Sequence, residues 1–365
     1  MQDITTYIKS YGHLDFKAMA FNEVDALILS QLSYLNLELL HKHEEPFYIR
    51  DMDHHKTIEA ISRITYEPKL DEDMLSNLAT SPRFKDLQII DIFHNPDYSR
   101  YGQFFAFSIK LFDHAYAIVY RGTDASFKGW SETLRLTADA TVLAQNSARK
   151  YLERMANELS GNFYVMGHSK GGNLAVYAAS TVSQEKQDRI NWIYNFDGPG
   201  FHKGFFKFAK TNALVEKTSN YIPRQSVVGL MFEQIGHFIY VDATGFLLEQ
   251  HQPYKWLVKG THFKRLVEPD NSAKYINRAF NKWMEKFSED QRNEAFYQLM
   301  DVISSSGAKD FNDILNNKMD MFGKIRHSYS HKSEEELAPI KSAISEFWQL
   351  LKEEVKAGIF NNLSE

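Results

Sequence analysis

Asn162-Phe163-Tyr164-Val165-Met166-Gly167-His168-Ser169-Lys170-Gly171-Gly172-Asn173-Leu174-Ala175 is the stretch on which the reading of this chain turns. An apolar run of strand type ends in Gly-x-Ser-x-Gly, and a helix-forming run follows at once. Strand, sharp turn and helix in that order hold the central residue in a strained conformation at the edge of a sheet. Gly167 and Gly171 lack Cβ, so strand and helix can approach closely. Ser169 is thereby presented as a nucleophile. The N-terminal N–H groups and positive dipole end of the following helix point at the same spot, where an oxyanion would be stabilised.

Working outward, residues 147–160 read as an amphipathic helix. Ser147 is its expected cap, Tyr151, Leu152, Met155 and Leu159 form its stripe, and Gly161 is its stop. Downstream of the elbow, Ile190–Phe196 is an apolar strand ending in Asp197-Gly198-Pro199-Gly200. Strands alternating with helices predict a parallel sheet here. Ser219–Ile222 and Phe238–Val241 are further strand candidates. Upstream, Leu87–Phe93, Phe104–Phe112 and Ala115–Tyr120 are joined by short turns, Asn95-Pro96-Asp97 and Asp113-His114, which favour an antiparallel meander.

Both ends read as helical. Asn22 can cap a helix carrying Val24, Leu27, Ile28, Leu32 and Leu35 on one face. Ile58, Ile61 and Ile64 suggest another helix, and Met74, Leu75 and Leu78 a third. After residue 270, Ser288 with Gln291 forms a capping box ahead of Phe296, Leu299, Met300 and Ile303. The polar stretch Asn316–Lys332 reads as a linker or loop. A last helix runs from Leu337 to Val355, with Pro339 near its start as an expected kink or restart and Gly358 as its expected stop. The expected fold class is α/β, a mostly parallel central sheet with an antiparallel N-terminal meander. The expected division is 1–80, an N-terminal helical segment packed on the core; 81–270, the α/β core; and 271–365, a C-terminal helical region.

At 365 residues, with 43% hydrophobic and 24% charged residues, the chain can bury a large core. A net charge of −5 argues against a nucleic-acid partner. There is no cysteine, which excludes disulfides, Cys-ligated zinc and thiol catalysis and fits a cytoplasmic setting. The first residues, Met1-Gln2-Asp3-Ile4-Thr5, do not read as a signal peptide. No apolar run approaches the ~18 residues of a membrane span. The 27 Phe and 19 Tyr suggest aromatic-lined pockets or interfaces.

An activated serine needs a base, a group that orients the base, and oxyanion donors. In α/β-hydrolases the order along the chain is Ser, then Asp or Glu, then His. Asp197, directly after the next strand, is the leading acid; Asp242 is the lesser candidate. The loop after Tyr221-Ile222 reads Pro223-Arg224-Gln225-Ser226 and offers no carboxylate. His202, His237, His251 and His262 lie downstream, and His251, in a polar loop after a strand and a Gly turn, is the leading base. The oxyanion donors expected are the N–H of Lys170 and Thr123, in Tyr120-Arg121-Gly122-Thr123-Asp124 at a strand end.

Tyr-Arg-Gly-Thr and Gly-His-Ser-Lys-Gly-Gly-Asn resemble the oxyanion and elbow motifs of class 3 lipases. The fuller set resembles still more closely a bacterial family of lipase-like α/β-hydrolases with no assigned function. That set is Phe21-Asn22-Glu23-Val24-Asp25, Gly129-Trp130, Gly167 to Asn173, Phe196 to Gly200, and Gln250-His251 with Trp256. The similarity covers roughly residues 20–260. It implies Ser169 as nucleophile, His251 as base and Thr123 at the oxyanion hole. The chain departs from class 3 lipases in its acid. Gln225-Ser226 stands where their later-strand acid would be, and Asp197 matches the placement in pancreatic-type lipases.

Ester or thioester hydrolysis on a lipid-like small molecule is therefore expected, with no cofactor and no metal. Two rivals are an acyltransferase with the same triad and a non-catalytic binding module on the hydrolase fold. His41-Lys42-His43 and Asp51-Met52-Asp53-His54-His55 lack a spacing that converges them on a metal. Phe201, Phe205, Phe206 and Phe208 could line an acyl pocket or form a lid, but a helix face buried in the core is the simpler expectation.

Overall fold

A computed structural model describes residues 2–39, 46–52, 65–94, 104–123, 143–208, 211–307 and 318–362. The expected helix at Ile58–Ile64, the turn Asn95-Pro96-Asp97, Gly129-Trp130, His41-Lys42-His43 and Asp53-His54-His55 lie outside the described residues. The chain divides into two compact units: Met1–Gly122 with Leu143–Asp270, and Thr123–Val142 with Asn271–Glu365.

The first unit is built on β1 (Phe47–Tyr48), β2 (Gln88–His94), β3 (Phe105–Phe112), β4 (Ala115–Tyr120), β5 (Asn162–His168), β6 (Ile190–Phe196), β7 (Thr218–Pro223), β8 (His237–Val241), β9 (Val258–Lys259), β10 (His262–Phe263) and β11 (Arg265–Leu266). Nine of these form one sheet, ordered β1-β2-β3-β4-β5-β6-β7-β8-β11, and β9 with β10 form a separate ribbon. β1 to β4 pair antiparallel. β4 to β8 pair parallel, and β11 returns antiparallel on β8. This is an α/β-hydrolase fold. The unbroken apolar runs of its middle strands follow from burial on both faces; Ala117, Ile118, Val119 and Tyr120 have no exposed surface.

The helices of this unit are α1 (Ile4–Tyr11), α2 (Glu23–Leu32), α3 (Pro68–Thr80), α4 (Leu143–Glu158), α5 (Lys170–Thr181), α6 (Gln184–Asp188), α7 (Phe205–Phe208) and α8 (Asn212–Val215). α2 is buried along its whole length. Asn22 caps it through Oδ1, which accepts from Val24 N at 3.0 Å, and Asp25 Oδ2 accepts from Asn22 N at 2.9 Å. The apolar face anchors α2 in the core, and truncating Leu27 to Ala should cost about 2–5 kcal/mol.

The charges of Asn22-Glu23-Val24-Asp25 are matched in place. Arg83 Nε donates to Asp25 Oδ1 at 2.8 Å, and neither side chain is exposed. Glu23 accepts from Phe263 N at 2.9 Å, Tyr221 Oη at 3.1 Å and Arg265 Nη2 at 2.9 Å. That motif thus fastens the N-terminal segment to β7, β10 and β11.

The second unit contains α9 (Asn271–Lys286), α10 (Glu289–Ser305), α11 (Lys318–Ser330) and α12 (Glu334–Asn362). Ser288 and Gln291 cap α10 reciprocally, at 2.9 and 3.3 Å. Val302, Leu337 and Ile340 form a small core with Ile325 and Tyr329 against it. Trp283 Nε1 donates to Ala343 O at 3.0 Å, joining α9 to α12.

Four local expectations need correction. α4 begins at Leu143, so Ser147 does not cap it; its hydroxyl donates back to Leu143 O at 3.1 Å. Residues 318–330, inside the stretch read as a linker, are helical. Gly358 does not stop α12, which runs on to Asn362, and a Cβ at this position would overlap the Tyr275 ring. The glycine serves close helix packing rather than termination. Pro339 lies inside α12 and does not divide it.

Candidate active site

Ser169 sits between the end of β5 and the start of α5 with φ 57° and ψ −132°, a region that side chains other than glycine rarely enter. A Cβ on Gly167 would overlap the Gly171 backbone, and one on Gly171 the Tyr120 carbonyl. Strand, helix and β4 therefore meet with no side chain between them. Ser169 N donates to Phe196 O at 2.9 Å and ties the elbow to β6. Lys170 is the first residue of α5, at the helix end whose N–H groups favour negative charge.

Asp197 follows β6 directly, at φ 51°, with a fully buried carboxylate. Its Oδ1 accepts from Gly229 N at 3.1 Å and from the Ser226 hydroxyl. Its Oδ2 lies 2.6 Å from His251 Nδ1. His251 closes the short 3-10 turn Leu247–His251 and its side chain is 20% exposed. Two residues far apart in the chain are thus brought into one hydrogen bond next to the elbow strand.

The alternatives are engaged elsewhere. Asp242 lies 2.7 Å from Lys264 Nζ and 3.7 Å from Arg224. His237 is half exposed, 3.5 Å from Glu216. His262 is mostly exposed, 3.8 Å from Glu23. His202 packs on the Phe232 ring.

The spaced motifs are bonded to one another. Asn173 of the elbow donates to Pro199 O at 3.1 Å and Gly200 O at 3.0 Å, and Gln145 donates to Asn173 Oδ1 at 2.8 Å. Asn195 Oδ1 accepts from Gly198 N at 3.0 Å, fixing the turn after Asp197. Trp256 Nε1 donates to Gln250 O at 2.9 Å, and Gln250 Oε1 accepts from Gln225 N at 2.9 Å. Ser226, in the loop without a carboxylate, supports the Asp197 carboxylate instead.

Beyond β4, the Arg121 guanidinium lies 3.6 Å from the Phe105 ring centroid and donates to the carbonyls of Ser33 and Leu35. A Cβ on Gly122 would overlap the Tyr34 hydroxyl. Thr123 follows directly and is buried. Sequence reasoning missed Tyr34, His168, Ser226 and Gly229. Tyr34 Oη is 2.8 Å from His168 Nδ1, and His168 Nε2 is 2.7 Å from His251 O. Only the histidine inside Gly-x-Ser-x-Gly hinted at this, since Tyr34 lies 134 residues away.

Phe201 and Phe205 stack at 4.3 Å, with Phe206 edge-on to both, and Tyr177 of α5 stacks on Phe205 at 5.6 Å. They form an aromatic cluster against the elbow helix. Among the described residues, no group of three or more His, Cys, Asp or Glu side chains converges as metal ligands. No described helix is long and apolar enough to cross a membrane.

Residues 78–301 match the family described as Mbeg1-like, which is lipase-like. Among solved structures the chain is similar to one titled crystal structure of M37 lipase. The identity is 17%, over 56% of this chain and 67% of that one, with a TM-score of 0.36. No curated protein matches.

Proposed function

The chain belongs to the Mbeg1-like family, and on that premise we propose that it is a serine hydrolase cleaving an ester or thioester through an acyl-enzyme. The observation that carries this reading is the 2.6 Å contact between His251 Nδ1 and the buried Asp197 carboxylate, beside a serine held at positive φ. Ser169 Oγ attacks the acyl carbon while His251 Nε2 takes its proton. The tetrahedral oxyanion collapses, the C–O or C–S bond breaks, and His251 returns the proton to the leaving group. Water, deprotonated by the same imidazole, then releases the acid and regenerates Ser169. Asp197 keeps Nδ1–H of His251 in place and stabilises the imidazolium. Lys170 N–H and Thr123 are assigned to the oxyanion, where loss of one donor typically costs a factor of ~100 or more.

The substrate proposed is a lipid-like ester with an apolar acyl chain, and the setting is the cytoplasm; cell fractionation tests the latter. A panel of p-nitrophenyl esters of increasing acyl length, run on wild type and Ser169→Ala, tests the activity. Wild-type turnover that vanishes in the variant supports the proposal, and equal rates contradict it. Products analysed with added alcohols or amines separate hydrolysis from acyl transfer.

A further inference from the structure

We infer that Tyr34 and His168 are positioning residues that set the place and orientation of His251, making the N-terminal segment a working part of the active site. The inference rests on the reading of Ser169 as nucleophile and His251 as base. Tyr34 lies outside the family match at 78–301.

The protons in this cluster can be assigned. His168 Nε2 lies 2.7 Å from His251 O. A carbonyl only accepts, so Nε2 carries the hydrogen. Burial pushes His168 well below the usual histidine range and keeps its ring neutral. A neutral imidazole has one N–H, so Nδ1 is an acceptor, and the Tyr34 hydroxyl at 2.8 Å donates to it. The alternative acceptor for that hydroxyl, His168 O, is farther away at 3.4 Å.

Tyr34 is itself fixed. Arg121 holds the carbonyls of Ser33 and Leu35, one on each side of it. Gly122 leaves room for its hydroxyl. The end of β4, the N-terminal segment, the elbow strand and the base loop are therefore joined in series by Arg121, Tyr34, His168 and the His251 carbonyl.

His251 is then held at two points, its carbonyl by His168 and its Nδ1 by Asp197. Its ring also packs on His168 at 4.6 Å between centroids. Two anchors on one residue define where Nε2 points. With the carbonyl anchor lost, the Leu247–His251 turn could shift while the ring followed Asp197. A displacement of about 1 Å at a reacting group can cost on the order of 10²-fold in rate.

The test uses the full chain with Tyr34→Phe, His168→Leu and His168→Gln, each checked by thermal unfolding. Kinetics use the p-nitrophenyl ester turned over fastest by wild type. Tyr34→Phe should lower kcat about 10-fold and His168→Leu about 100-fold, with KM within about 2-fold. His168→Gln can still donate to the His251 carbonyl and should recover about 10-fold of the His168→Leu loss. In 15N-histidine NMR, wild-type His168 should be the Nε2–H tautomer with a hydrogen-bonded Nδ1. Both the His168 and His251 signals should move in Tyr34→Phe. Wild-type kcat in folded Tyr34→Phe and His168→Leu overturns the inference, as does an Nδ1–H tautomer at His168. If His168→Leu does not fold, Tyr34→Phe and the NMR decide. If wild type cleaves no ester, the hydrolase reading fails on its own, and a His251 signal unmoved by Tyr34→Phe still overturns the positioning role.

Discussion

The two units spend their polar side chains differently. In the first unit, buried polar groups join elements distant in sequence: Asp197 to His251, Asn173 to Pro199 and Gly200, Arg83 to Asp25. In the second unit the conspicuous pairs link neighbouring helices and involve exposed cations. Arg278 and Lys282 each lie 2.6 Å from Glu354, and Lys286 pairs with Glu346. A buried group left unpaired is costly, so the first arrangement fixes positions sharply. Pairs with a solvated cation contribute little. Precise placement belongs to the first unit, and tolerance to the second.

The largest expected effect is on turnover. Asp197→Asn should lower kcat by ~10³–10⁴, because the imidazole loses its orienting carboxylate. Asp242→Asn, whose largely buried carboxylate faces the exposed cations of Lys264 and Arg224, should leave kcat within about 2-fold. Steady-state rates on one ester decide, and the reverse pattern would move the acid to Asp242.

Stability gives the next contrast. Arg83→Leu leaves Asp25 buried without its cation and should cost about 3–5 kcal/mol. Lys282→Ala, removing an exposed partner of Glu354, should cost far less than Arg83→Leu. Urea unfolding followed by probes in each unit measures both. Equal costs would erase the distinction drawn between the units.

The smallest effect is in acid stability. His168 is held neutral in the fold, so the unfolded chain takes up the proton first as pH falls below the ordinary 6.5. The first unit should lose stability from there downward. In the second unit, Lys282 and then Arg278 hold the Glu354 carboxyl below its usual 4.5. That contribution is present above the unfolded value and disappears only as pH falls below it. Unfolding midpoints compared with His168→Gln and Glu354→Gln isolate each group. A wild-type curve parallel to His168→Gln between about pH 7 and 5 speaks against the buried neutral ring.

Regular elements were legible because their signals are local. The apolar runs Ala115–Tyr120 and Ile190–Phe196 are strands with those bounds, and Asn22 caps α2 as its side chain predicts. Signals that depend on a distant partner were not legible. Gly358 reads as a stop until Tyr275 is seen against it. Asn173, Gln250 and Trp256 are motif letters in the sequence, and their purpose lies in bonds to carbonyls and amides on other loops. Tyr34 carries no local sign of the site, because the bond that gives it meaning spans 134 residues.

The central claim is that Ser169 is a nucleophile activated by His251 and Asp197. Its most direct test is the intact mass of the protein after incubation with a fluorophosphonate probe, for wild type, Ser169→Ala and Asp197→Asn. One phosphonyl adduct, mapped to Ser169 in wild type, absent from Ser169→Ala and formed far more slowly in Asp197→Asn, is the predicted result. An unmodified wild-type mass, or an adduct that survives in Ser169→Ala, contradicts it.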